Sequence, residues 1–141
     1  HITIILSGLE GGDERRMLDF VMTKLRSLVE EVQCSLILVS HLRRPSGDKG
    51  HEEGVRTTLN QLRGSHGIAQ LSDIVVGCER NQQDEENSDV TTIRVLKNRW
   101  TGETGVADTL YYSKETGRMI VGASPEKVNA YGFEKEEKED F

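Results

Sequence analysis

Cysteine is scarce in this chain. It has two among 141 residues, Cys34 and Cys78, and no C-x-x-C pair. Both sit in apolar runs, so they read as buried free thiols in a reducing compartment, not as a disulfide or metal framework. No apolar run approaches the ~20 residues that a membrane span requires, and no signal-peptide pattern is present. A cytoplasmic protein without membrane partners is the expectation. No internal repeat is visible. The phosphate-loop pattern G-x-x-x-x-G-K-[ST] occurs nowhere, and the glycine-rich stretch at residues 7–12 has no lysine to serve as one. His51-Glu52-Glu53-Gly54 fails the zinc pattern H-E-x-x-H because Val55 holds the last position, and no metal site is assigned. An initiator methionine is missing as well. The chain opens at His1 and runs directly into Ile2-Thr3-Ile4-Ile5-Leu6, so it reads as a fragment cut inside a strand.

Net charge is −6, which by itself argues against nucleic acid. That balance is set at the end of the chain. Residues 134–140 hold five acids and two lysines, leaving 19 acids and 16 bases elsewhere. A local basic site is compatible with such a remainder. From about Ser124 onward periodicity is lost, and the chain divides into residues 1–123 and an acidic tail, residues 124–141, that reads as disordered.

The rest of the chain has clear patterning. Residues 2–6 are apolar, short and β-branched, as in a buried strand. Asp13 is placed to cap a helix in which Met17, Val21, Leu25, Leu28 and Val32 recur at helical spacing, an amphipathic helix expected to lie on a sheet. Residues 35–40 read as a second buried strand. Strand, helix and strand together imply a right-handed parallel crossover. Residues 41–58 are polar and glycine-containing, long for a plain connection and therefore a candidate functional loop. A short helical piece falls within residues 62–71, and residues 74–78 read as a third buried strand. Residues 81–89 form an acidic loop, and residues 90–96 alternate as a half-exposed strand does. Residues 106–112 and 119–121 flank Lys114-Glu115-Thr116-Gly117, a hairpin turn ending in glycine. The expected class is α/β, with a mostly parallel central sheet, flanking helices and a C-terminal β-hairpin.

In open α/β sheets ligands bind outside the carboxyl ends of the strands. Three polar groups are expected there: Ser40-His41, Glu79-Arg80-Asn81-Gln82 and Lys97-Asn98-Arg99. Lys97 and Arg99 are two apart, so in extended backbone they point the same way, and paired cations suit a polyphosphate. A solvated basic strand end fits that spacing about equally well. A lone histidine is more often packed or superficial than catalytic, although the place of His41 at a strand end raises the functional reading. Gln70, just ahead of the third strand, is by its type alone an exposed amide, yet it is placed to approach the same crevice. Arg43, Arg44, Lys49 and His51 crowd one glycine-bearing loop. Such loops bind single-stranded backbone, but Asp48, Glu52 and Glu53 partly cancel the charge.

These residues resemble a known family. The run Leu62-Arg63-Gly64-Ser65-His66-Gly67-Ile68-Ala69-Gln70-Leu71-Ser72-Asp73-Ile74-Val75 resembles the signature of DnaB-like replicative helicases, and Lys97-Asn98-Arg99-Trp100-Thr101-Gly102 resembles their trans-acting lysine and arginine element. Asp13-Glu14-Arg15, His41-Leu42, His51-Glu52-Glu53-Gly54, Glu79-Arg80-Asn81-Gln82-Gln83 and Lys114-Glu115-Thr116-Gly117 are similar, in order, to the primase–helicases of T-odd short-tailed phages. The similarity extends from His1 to about Val121.

The resemblance implies a partial RecA-like fold and a hexameric ring that couples hydrolysis of a nucleoside triphosphate (dTTP or ATP, with Mg²⁺) to 5′-to-3′ translocation on single-stranded DNA and duplex unwinding. It implies that His41 senses the γ-phosphate and Gln70 couples nucleotide state to the DNA loops. Arg99 becomes the finger reaching the neighbouring subunit's nucleotide, with Lys97 beside it. Arg80 and Tyr112 sandwich the base. Arg43, Arg44 and Lys49, with Arg63, Gly64 and Ser65, face DNA in the central channel. The acidic tail ending in Phe141 would recruit the replicative polymerase, and the setting would be a bacterial cell hosting the phage. The phosphate loop and catalytic carboxylates belong upstream of His1, so this chain alone is expected to be inactive. Gly47 stands where a further lysine is often found, and Ala69 replaces an expected basic residue. Two other readings stand beside this one: another RecA-family ATPase, or a non-catalytic adaptor binding polymerase or helicase.

Overall fold

The structure, a computed structural model, describes residues 1–7, 13–62 and 66–122. Three helices, α1 (Ile2–Ser7), α2 (Glu14–Val32) and α3 (His66–Leu71), precede four strands, β1 (Ile74–Arg80), β2 (Val90–Asn98), β3 (Gly105–Ser113) and β4 (Arg118–Val121). A single 3₁₀ turn at Leu59–Gln61 leads towards α3.

The sheet corrects the expectation of a mostly parallel one. Its order is β1-β2-β3-β4, and every pair is antiparallel. Residues 2–6, read as a strand, form helix α1. Ile2 and Leu6, four apart, are buried on one face while Ile4 and Ile5 are exposed. A short apolar run carries no period that separates strand from helix. A buried parallel strand needs ladder partners on its neighbours, whereas a helix satisfies its backbone internally. Residues 35–40, read as the second strand, belong to no sheet strand. Ile2 donates a backbone bond to the Val39 carbonyl at 3.0 Å, and Ile37 is 93% exposed. The strand–helix–strand crossover is therefore absent among the described residues.

Local signals fare better. Asp13 caps α2, accepting a bond from the Arg15 backbone N–H at 3.0 Å. Gln33, in the left-handed region at φ 55°, ends it. Leu18, Val21 and Met22 are the buried face of α2. The helix packs on α1 and α3, with Ile2, Leu6 and Ile68 completing a small core, so it does not lie on the sheet as expected. Leu28 and Val32, the far end of its stripe, are exposed. The hairpin turn after β3 forms where the sequence places it. The Gly117 N–H bonds the Ser113 carbonyl at 2.8 Å, and Gly117 takes φ +67°, which glycine adopts at little cost. Cys34 and Cys78 are free thiols, but both are exposed, contrary to the buried reading. Cys34 follows the end of α2 outside any helix or strand, and Cys78 points from the open face of β1.

Candidate functional site

The antiparallel sheet sets where the candidate groups lie. β2 runs away from the end of β1, pairing Arg80 with Thr91 and Ile74 with Asn98. The Glu79-Arg80 and Lys97-Asn98-Arg99 groups therefore lie at opposite ends of the sheet and do not share the single crevice that parallel strands would give. From Thr91 to Arg99 the separation is roughly 25 Å, at about 3.3 Å per residue.

At one end, Lys97 and Arg99 converge on the C-terminus of α3. The Lys97 ammonium donates to the carbonyls of Ala69 (2.6 Å), Gln70 (3.1 Å) and Ser72 (2.8 Å). These are carbonyls that a helix end and its exit leave without intrahelical partners, and a cation there also meets the negative end of the helix dipole. Arg99 donates to the Gln70 carbonyl at 2.7 Å and lies 3.3 Å from the Asp73 carboxylate. Gln70 thus meets both cations through its backbone, and its side chain is exposed. Asp73 also accepts from Arg26 of α2 at 2.5 Å, and Arg26 bonds Glu30 at 2.9 Å. Arg26 is held further into its charged form, chiefly by the Asp73 bond and then by Glu30. Sequence reasoning missed Asp73 and Arg26. Asp73 lies inside the signature run, but nothing in spacing reveals a partner 26 residues onward.

At the other end, Arg80 donates to the Ser88 carbonyl, and the Tyr112 backbone N–H bonds the Asp89 carbonyl at 2.9 Å. Both side chains are exposed and flank the same acidic loop. The residue preceding Arg80 is structural. Glu79 takes two bonds from Arg94, at 2.7 and 3.0 Å, and two from Thr57, at 2.7 Å from the backbone and 2.8 Å from the hydroxyl. Thr57 can sit so close because β1 has glycine beneath it. A Cβ on Gly77 would meet the Thr57 hydroxyl at 2.2 Å. Burial alone would push the Glu79 carboxyl up, but Arg94 and Thr57 together hold it at about 2, below its ordinary 4.5. A carboxyl depressed on folding contributes stability above its unfolded pKa and loses it as pH falls through the folded value. The expected loss is on the order of 3 kcal/mol between about pH 5 and pH 2. Urea midpoints across that window check it, and Glu79→Gln should flatten the dependence.

The polar loop joins these regions. Its start is pinned by a bridge between Leu42 and Leu62, by a 2.6 Å bond from the Arg43 N–H to the Gln61 carbonyl, and by the His51 ring against the Arg43 carbonyl at 2.9 Å. Its far side is tied to the end of β1 by a bridge between Glu53 and Asn81 and by the Gln82 N–H on the Glu52 carbonyl at 2.8 Å. Arg44 and Lys49 project from it, exposed. The loop base therefore abuts Leu62, which immediately precedes Arg63, Gly64 and Ser65. Those three residues and Phe141 lie outside the described residues. His41 is exposed, with its ring 3.9 Å from that of His1. Among the described residues no group of three His, Cys, Asp or Glu side chains could hold a metal ion, and no helix is long and apolar enough to cross a membrane.

The DnaB-like helicase C-terminal domain family matches residues 2–119. A "DNA helicase/primase" of Enterobacteria phage T3 is 42% identical over 117 residues, covering 83% of this chain. The chain spans about one fifth of that relative's length, 20%.

Proposed function

Because this chain belongs to the DnaB-like helicase C-terminal domain family, we propose that it is the sensing, DNA-contacting and trans-acting portion of a ring-shaped replicative helicase. The parent would couple hydrolysis of a nucleoside triphosphate to 5′-to-3′ movement on single-stranded DNA. The observation that carries this reading is the division of the sheet into two working ends. Arg80 and Tyr112 stand at one end, suited to sandwich the base of the subunit's own nucleotide. Arg99 stands roughly 25 Å away, too far to serve the same nucleotide and suited to reach the next subunit's. A ring of such subunits completes each site from two chains.

Within that arrangement Arg99 would stabilise charge on the transferring phosphate, as trans-acting arginines do. Lys97, with its ammonium already satisfied by three carbonyls, would fix α3 and Gln70 against the end of β2, next to Arg99. His41 would sense the γ-phosphate. Arg43, Arg44 and Lys49, next to the segment Arg63, Gly64 and Ser65, would face the DNA backbone. The sequence has no phosphate loop. That loop, and the choice of nucleotide, would come from elsewhere in the parent. The setting would be the cytoplasm of the phage's host.

The test is unwinding of a forked duplex by the full-length protein. It should require a 5′ single-stranded tail and nucleotide, and absence of unwinding with either tail polarity would refute the reading. The acidic tail, residues 124–141, would dock on the replicative polymerase, with charge setting encounter rate and Phe141 the grip. Deleting Phe141 should weaken polymerase association about tenfold, the scale of one buried aromatic anchor, with unwinding intact. Surface-based binding measurements check it, and equal affinity with and without Phe141 refutes docking.

A further inference from the structure

Arg99 is engaged within its own chain. Its Nη2 donates to the Gln70 carbonyl at 2.7 Å, its Nη1 lies 3.3 Å from Asp73 Oδ1, and its backbone N–H donates to the Asp73 carbonyl at 2.8 Å. A guanidinium grips a phosphate through two parallel N–H groups. Both terminal nitrogens of Arg99 already carry a contact here, so a phosphate must compete with the Asp73 carboxylate and the Gln70 carbonyl for the guanidinium. Asp73 is built for a partial hold. Its other oxygen, Oδ2, is taken by Arg26 Nη1 at 2.5 Å, so the carboxylate is divided between two cations on different elements. The Asp73 and Arg99 side chains are 27% and 43% exposed, which keeps their attraction weak enough to be reversed by a phosphate.

We infer that Asp73 is a positioning residue that parks Arg99 in cis and competes with the neighbouring subunit's phosphate for it, with Arg26 setting how tightly Asp73 holds. This rests on the reading of Arg99 as a trans-acting finger. Parking keeps an unengaged subunit from acting on its neighbour. It also gives Arg99 a defined place to return to when the phosphate leaves. Through Arg26 the state of the finger is tied to α2.

The prediction has opposite signs for two neighbours, which a merely structural role does not produce. In the full-length protein, Asp73→Asn removes the competing charge and should raise DNA-independent hydrolysis about 2- to 5-fold, the scale of a half-exposed ion pair. The DNA-stimulated rate should move less, so the stimulation ratio falls. Arg26→Gln leaves Asp73 undivided for Arg99 and should lower DNA-independent hydrolysis by a similar factor. Arg99→Ala is measured alongside. If Arg99→Ala abolishes hydrolysis while Asp73→Asn and Arg26→Gln change the DNA-independent rate in the same direction or leave it unmoved, the parking role is overturned and the finger stands. If Arg99→Ala leaves hydrolysis unchanged, the finger reading itself fails and parking falls with it.

Discussion

Arg99→Ala in the full-length protein is expected to lower DNA-stimulated nucleotide hydrolysis by on the order of 10³-fold or more, with nucleotide affinity nearly unchanged. The size follows from what such a group does. Charge on the transferring phosphate grows in the transition state, so an arginine aimed there contributes mostly to turnover and little to binding. The asymmetry between turnover and affinity also follows from where Arg99 sits. It is at the opposite end of the sheet from Arg80 and Tyr112, the residues proposed to hold the base. Arg99→Lys should recover little, since an ammonium cannot make the two-pronged contact. Steady-state hydrolysis with and without single-stranded DNA, beside a nucleotide-binding titration, measures both quantities. A parallel loss of affinity would place Arg99 in ordinary binding instead.

The second large effect concerns stability. Arg94→Ala should lower the urea midpoint clearly, because it leaves the partly buried Glu79 carboxylate without its charged partner. Glu79 and Arg94 are 7% and 15% exposed at their side chains, and Glu79 also anchors Thr57 through two bonds. The double change Glu79→Gln with Arg94→Met keeps an oxygen for Thr57 and removes both charges. It should recover most of that loss, because replacing a partly buried pair by uncharged groups of similar volume is often near neutral. Urea unfolding of the single and double variants decides it. A double variant as unstable as Arg94→Ala would mean that packing of the arginine stem, not its charge, is what β1 and β2 require.

What the sequence reveals here depends on how local the cause is. The Asp13 cap, Val21 on the α2 stripe, the strand running to Asn98 and the turn at Gly117 are all set by residues within a few positions of each other, and they lie where patterning places them. Residues 2–6 differ from the strand expectation because a short apolar run fits a buried strand and a helix equally, and residues 35–40 because an apolar run becomes a strand only where a distant pairing partner meets it. Strand direction is likewise non-local. The expected crevice joining Arg80 to Arg99 depended on parallel strands, and antiparallel pairing put them at opposite ends. Lys97 and Arg99 do converge on one helix end, but Arg99 lies in the turn after β2, so strand alternation alone does not account for it. The contacts of Asp73 and of Glu79 with Arg94 and Thr57 are fixed by tertiary placement, and no spacing announces them.

A trans-acting Arg99 would work on a neighbour's nucleotide. Mixed rings test it most directly. Subunits carrying Arg99→Ala are combined with subunits whose upstream phosphate loop is disabled, each inactive alone. If the finger works in trans, mixing restores hydrolysis, because some interfaces then pair an intact loop with an intact Arg99. If rings demonstrably mix and hydrolysis stays at the level of the separate variants, Arg99 serves its own subunit and the account is wrong.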